Sequence, residues 1–132
     1  LYEFNQCMLY KNGRFDMLHG QDETILASLE MCGTQGGICG TSNYNGRCLV
    51  GIIEAWKNGD LAKARELQNY AQDVINVICH YRGNIVAGKR IMKLLGLDLG
   101  LNRTPFQNMT DEEEKAMKQE LEAIDFFNKC NK

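Results

Sequence analysis

The chain has 132 residues, 44% of them hydrophobic and 24% charged, with a formal net charge of -2. This is the composition of one ordinary globular domain without bias toward disorder, and its near-balanced charge leaves no footprint for nucleic acid or an anionic membrane. No apolar run approaches the roughly 20 residues of a bilayer span, so neither nucleic acid nor membrane is expected as a partner.

Residues 1–12 place Leu1, Phe4, Met8 and Leu9 on one helical face, with Asn12-Gly13 as the C-cap. Residues 15–18 are a short strand candidate that runs into a polar corner, His19-Gly20-Gln21-Asp22-Glu23. From Glu23 to Cys32, Ile25, Leu26, Leu29 and Cys32 form a helical stripe that Gly33 stops. Residues 36–40 are small and apolar and read as a second, buried strand before the corner Gly40-Thr41-Ser42-Asn43. Asn45-Gly46 precedes a helix carrying Leu49, Val50, Ile52, Ile53 and Trp56 and ending at Asn58-Gly59. Asp60 caps the next helix, whose apolar face is Leu61, Ala64, Leu67, Ala71, Val74, Ile75 and Ile78, and Arg82-Gly83 breaks it. A helix over 84–95 and a loop from Gly96 to Pro105 follow. Thr110 with Glu113 reads as a capping box opening a last helix to about Lys129.

Strand, polar corner and helix, twice over, is the rhythm of an α/β protein, in which ligands bind at the loops after the strands. Two strands alone make a marginal sheet, and parallel strands belong to larger sheets covered on both faces. The residues therefore predict the end of a larger α/β fold followed by a helical extension, divided as 1–59 and 60–132. The chain opens on Leu1 without a signal peptide, which reads as a fragment or a processed product.

Asp22 and Glu23 lie where a strand end meets a helix start. Two readings stand side by side: a polar pair facing a ligand, with Gly20 allowing close backbone approach, or acids that favour a helix's first turn. The Gly-rich corner 36–42 is read either as a cradle for an anion or as tight packing, and it matches neither the P-loop nor the dinucleotide fingerprint. His19 reads as a strand-end histidine and His80 as structural or exposed; far apart and without a carboxylate partner, they predict no metal site. Asp111-Glu112-Glu113-Glu114 reads as a solvated helix start. No cofactor is predicted. The six cysteines (Cys7, Cys32, Cys39, Cys48, Cys79, Cys130) form no CxxC and sit in apolar, helical surroundings. They read as free, mostly buried thiols rather than disulfides or metal ligands, and hence as a cytoplasmic protein.

Gly20-Gln21-Asp22-Glu23, then Gly36-Gly37-Ile38-Cys39-Gly40-Thr41-Ser42-Asn43 and Gly46, resemble the C-terminal part of the N-acetylneuraminate lyases. These are pyruvate-dependent class I aldolases, grouped with dihydrodipicolinate synthase. The similarity continues through residues 54–60, 62–68 and 103–106. It implies the last βα units of a (β/α)8 TIM barrel plus C-terminal helices. Residues 1–12 then correspond to the sixth barrel helix, 15–20 and 36–40 to strands seven and eight, 23–32 and 45–58 to their helices, and 60–129 to the C-terminal helices. The resemblance implies an enzyme that cleaves N-acetylneuraminate to N-acetylmannosamine and pyruvate through a lysine Schiff base, without a metal, as a homo-oligomer. It assigns substrate binding to Gly20 through its backbone and to Asp22 and Glu23 as acceptors of sugar hydroxyls. Gly40 stands where many members carry a serine touching the sugar's glycerol tail, with Thr41 or Ser42 as substitutes, and Cys39 stands where glycine is usual. Lys11, Lys57, Lys63 and Lys89 match no catalytic position, so the chain is expected to hold part of a sugar site without its nucleophile and to be inactive alone. The alternatives are a fragment of a related aldolase, either a dihydrodipicolinate synthase or a keto-deoxy sugar acid aldolase, and a non-catalytic helical module that self-associates.

Overall fold

A computed structural model describes residues 1–131. Seven helices follow one another: α1 (Tyr2–Leu9), α2 (Ile25–Cys32), α3 (Ser42–Lys57), α4 (Leu61–His80), α5 (Gly83–Leu94), α6 (Asp111–Ala123) and α7 (Phe126–Lys129). A 3-10 turn, Asp22–Thr24, leads into α2. None of these helices is long and apolar enough to cross a membrane.

The two strand candidates meet at a single point. His19 and Gly37 form a parallel bridge, in which the His19 N–H donates to Gly36 O at 3.0 Å and the Ile38 N–H donates to His19 O at 2.8 Å. It is the only β pairing among the described residues. The ladder does not extend over 15–18 and 36–40, because neither segment has a neighbour on its other side. Gly37 is required at the crossing, since a Cβ there would lie 2.8 Å from the His19 carbonyl oxygen.

Helix α4 is the spine. Over 20 residues it runs roughly 30 Å and serves two cores in succession. Ala64 and Ala71 pack with Ile25, Leu29, Leu49 and Ile52 of α2 and α3. Val74, Val77 and Ile78 pack with Val86, Ile91, Met117, Leu121 and Phe126 further along. Both ends are set by local chemistry: Asp60 Oδ1 accepts from the Lys63 N–H at 2.9 Å, and Arg82 and Gly83 reverse the chain with φ of 69° and 75°. Thr110 and Glu113 complete their capping box in both directions, at 3.2 and 2.8 Å. The C-terminal segment returns to α3, where Asn131 Oδ1 accepts from the Arg47 N–H and its Nδ2 donates to Ser42 O, both at 2.9 Å.

Several expectations are corrected. Helix α1 ends at Leu9 rather than at Asn12-Gly13, because Lys11, Asn12 and Gly13 all adopt positive φ and turn the chain away. Its apolar face is only partly covered: Phe4 meets the His19 ring edge-on and Met8 is half-buried, but no residue of the helix is fully buried. Helix α3 starts at Ser42, ahead of Asn45-Gly46, and passes through non-helical dihedrals at Asn45. Val50, one step round the helix from buried Leu49, is 53% exposed. The last helix is broken by Asp125 at φ 59°, which re-aims α7 and buries Phe126.

Arg82 grips both Glu113 oxygens, at 2.9 and 2.5 Å, and ties the α4–α5 corner to the start of α6. This bidentate contact, followed by the Thr110 N–H, holds the Glu113 carboxyl down at about 2. A carboxylate with a depressed folded pKa stabilises the fold above its ordinary value near 4.5, and that contribution is lost as pH falls toward 2. Glu113→Gln keeps the capping box and removes only the charge. In thermal melts the wild type should exceed this variant above about pH 5 and converge with it as pH falls toward 2, and salt should narrow the gap. A gap independent of pH would exclude the ion pair as its cause.

Candidate functional site

The corner after the first strand candidate and the corner after the second face each other. Gly20, Asp22, Glu23, Gly40 and Thr41 line one cavity of about 270 Å³, closed on its far side by Ile78, Gly83 and Asn84 from α4 and α5. All five residues singled out in the sequence are thus brought together. Their partners from α4 and α5 lie more than 30 positions along the chain and carry no local signal.

The two acids differ in state. Asp22 is buried, and its Oδ2 accepts from the Thr41 N–H at 2.7 Å and from the Thr41 hydroxyl. One carboxylate oxygen and the Thr41 hydroxyl proton are therefore spent on joining the two corners. Glu23 is half-buried, and its carboxylate has no hydrogen bond among the described residues, while its backbone carbonyl accepts from Gln72 Nε2 at 2.9 Å. Glu23 is thus the carboxylate available to a ligand. Cys39 lies beside this pair, and burial, followed by the Asp22 charge, pushes its thiol up to about 12. It is a packing residue rather than a nucleophile.

The corner 19–24 is held by groups on other elements. His19, buried, brings Nε2 within 2.8 Å of Thr24 Oγ1 and meets Phe4 edge-on, and burial lowers its pKa. Gln68, at the end of the 62–68 stretch and given no role by the sequence reading, makes the central fastening. Its Oε1 accepts from the Leu26 N–H at 2.9 Å, and its Nε2 donates to Asp22 O at 3.0 Å. The first of these satisfies one of the unpaired N–H groups of a helix start, which otherwise lack partners. A buried glutamine at a position of period four on an apolar helix face is the signal that could have found it. Tyr44, also buried, donates its hydroxyl to Asn84 Oδ1 at 2.6 Å and joins α3 to α5. His80 sits apart, exposed, with Nδ1 2.8 Å from Glu120. Among the described residues no group of three or more His, Cys, Asp or Glu is placed to hold a metal ion.

A family model described as the dihydrodipicolinate synthetase family matches residues 1–124. The N-acetylneuraminate lyase of Mus musculus is 33% identical over 129 residues, covering 96% of this chain and 40% of that protein. The solved N-acetylneuraminate lyase of Proteus mirabilis superposes with a TM-score of 0.86 at 31% identity, over 95% of this chain and 42% of its own. A 2-keto-3-deoxygluconate aldolase variant from Sulfolobus solfataricus shares the fold with a TM-score of 0.83 at 23% identity, over 94% of this chain and 42% of its own. The chain thus spans about 40% of the length of the curated relatives it matches, and the fold is that of a fragment of a TIM-barrel aldolase.

Gln68→Leu would keep the bulk of the fastening and leave the Leu26 N–H and the Asp22 carbonyl without partners. Urea unfolding should show a loss of about 2–4 kcal/mol, as a lower midpoint at unchanged slope. An unchanged midpoint would mean that water replaces Gln68.

Proposed function

We propose, from the premise that this chain belongs to the dihydrodipicolinate synthetase family, that it is the C-terminal portion of an N-acetylneuraminate lyase and carries part of the sugar-binding site. On this reading residues 1–59 are the last βα units of the barrel and residues 60–132 its helical extension. The single observation that carries the reading is the convergence of Gly20, Asp22, Glu23, Gly40 and Thr41 on one cavity.

The chemistry suits a polyhydroxylated ligand. The Glu23 carboxylate, unengaged within the chain, accepts protons from hydroxyls, and the exposed Gly20 lets a ligand approach the backbone. Asp22 acts mainly by holding Thr41 and Gly40 in place. Preorganisation of this kind is what a binding loop needs, since mobile ligand groups lose affinity to ordering. No lysine lines the cavity. The Schiff base to pyruvate that drives this class of aldolase therefore has no amine within these residues to form on, and the activity belongs to a longer assembly. The apolar residues Leu18 and Ile38, 49% and 75% exposed, support that assembly, because they adjoin the bridge residues His19 and Gly37, where further strands of a barrel would pack.

Two measurements on the 132-residue chain test the proposal. Saturation-transfer NMR with N-acetylneuraminate should show contact at the sugar's hydroxylated carbons, weakened about tenfold or more by Glu23→Ala, as expected when a charged hydrogen bond is lost. Incubation with pyruvate and borohydride should leave the mass unchanged. No transfer would overturn the sugar site, and an adduct on one specific lysine would overturn the assignment of the nucleophile elsewhere.

A further inference from the structure

Gly40 is defined by what occupies the space beside it. A Cβ on residue 40 would lie 2.6 Å from Asn84 Nδ2 and 3.2 Å from Asn84 Cγ. The amide of Asn84, arriving from the first turn of α5, thus fills the volume that a side chain at residue 40 would take. Helix α5 comes this close because Gly88 also lacks a side chain: a Cβ there would lie 2.9 Å from Asn84 Oδ1 and 3.3 Å from the Tyr44 ring.

The amide is also oriented. Tyr44 is 1% exposed and packs edge-on against Phe126, with ring centroids 6.2 Å apart. Burial, then the charge of Asp22, pushes its phenol up, so it stays protonated and donates. Its hydroxyl reaches Asn84 Oδ1 at 2.6 Å. With the oxygen engaged, Nδ2 is the group turned toward Gly40, and it makes no hydrogen bond among the described residues. Asn84 lines the same cavity as Glu23 and Asp22.

A sugar hydroxyl donates one hydrogen bond and accepts others. Carboxylates such as Glu23 and Asp22 serve only the donating side. A site made of acids alone would leave the hydroxyl lone pairs unmatched, and a buried unmatched acceptor is costly. We propose that Asn84 is a specificity-determining residue of this site, its side-chain N–H donating to a hydroxyl oxygen of the substrate's polyhydroxylated end beside Gly40. The inference rests on the sugar-site reading and adds to it a donor from a helix outside both corners.

The test uses the whole chain and two probes followed by NMR titration: N-acetylneuraminate, and its analogue lacking the glycerol side chain. Asn84→Asp keeps the shape and the acceptor for Tyr44 while replacing the donor, and Asn84→Leu removes both. Each variant should weaken N-acetylneuraminate about tenfold, the usual cost of one specific hydrogen bond in a binding site, and leave the truncated analogue within about twofold of its wild-type affinity. Equal loss for both probes, or none for either, would overturn the assignment while leaving the sugar site standing. Wild-type chain that binds neither probe would overturn the sugar-site reading and this inference with it. A second measurement needs no ligand: Gly40→Ser should lower the melting temperature, and adding Asn84→Gly should restore it. Without that rescue, Asn84 does not occupy the space beside Gly40.

Discussion

One buried carboxylate organises this end of the molecule. Asp22 Oδ2 takes two hydrogen bonds from Thr41 and joins the corner after the first strand candidate to the corner after the second. The strands themselves do little of this work, because their pairing amounts to one bridge and two backbone hydrogen bonds. An acceptor bearing a charge forms stronger bonds than a neutral one, and in a buried setting its loss would leave the Thr41 N–H unpaired. The relative position of the two corners, and so the shape of the cavity, depends on this contact. From the opposite side Gln68 and Gln72 grip the carbonyls of Asp22 and Glu23. The turn 22–24 is held from two directions and presents the Glu23 carboxylate from a fixed backbone.

The helices explain why such a site can be rigid. Helix α4 carries alanines, Gln68 and Ala71 along the half that faces α2 and α3, and branched residues along the half that faces α5 and α6. Small residues permit close approach: at Gly51 of α3, an added Cβ would lie 3.1 Å from Leu67 of α4. The second half is filled by larger side chains and clamped by ion pairs in which Arg90 and Lys93 share Glu114 at 2.9 and 3.1 Å. Arg90 and Glu114 are partly buried, their side chains 17% and 16% exposed, and the shared carboxylate fixes α6 against α5, while Arg82 fixes the first turn of α6. Asn131 then pins the C-terminal segment to the start of α3, where its own N–H also donates to Tyr44 O at 2.9 Å. One fully buried residue stands outside this pattern: both amide atoms of Asn45 lack partners at the kink of α3.

The sequence alone determined most of the helices and several of their limits, although the local signals at Asn12-Gly13 and Asn45-Gly46 misplaced the end of α1 and the start of α3. Asp60, the Thr110–Glu113 box, the left-handed Gly33 and the Arg82-Gly83 break act within one turn of chain, and each holds in the structure. The resemblance to the family was also legible, because the Gly20-Gln21-Asp22-Glu23 corner and the Gly-rich corner 36–43 that carry it are each contiguous in the sequence. Tertiary structure decided the rest. Whether 15–18 and 36–40 form strands depends on neighbours to pair with, which no local pattern supplies. Whether Asp22 serves a ligand or a loop depends on Thr41, 19 residues away, and whether Gly40 opens a cavity or receives a side chain depends on Asn84, 44 residues away. Asp125 broke a continuous helical pattern because burying Phe126 outweighs the cost of one left-handed residue. Short-range chemistry is written in adjacent residues, whereas a site assembled from two corners and two helices exists only once the helices have packed.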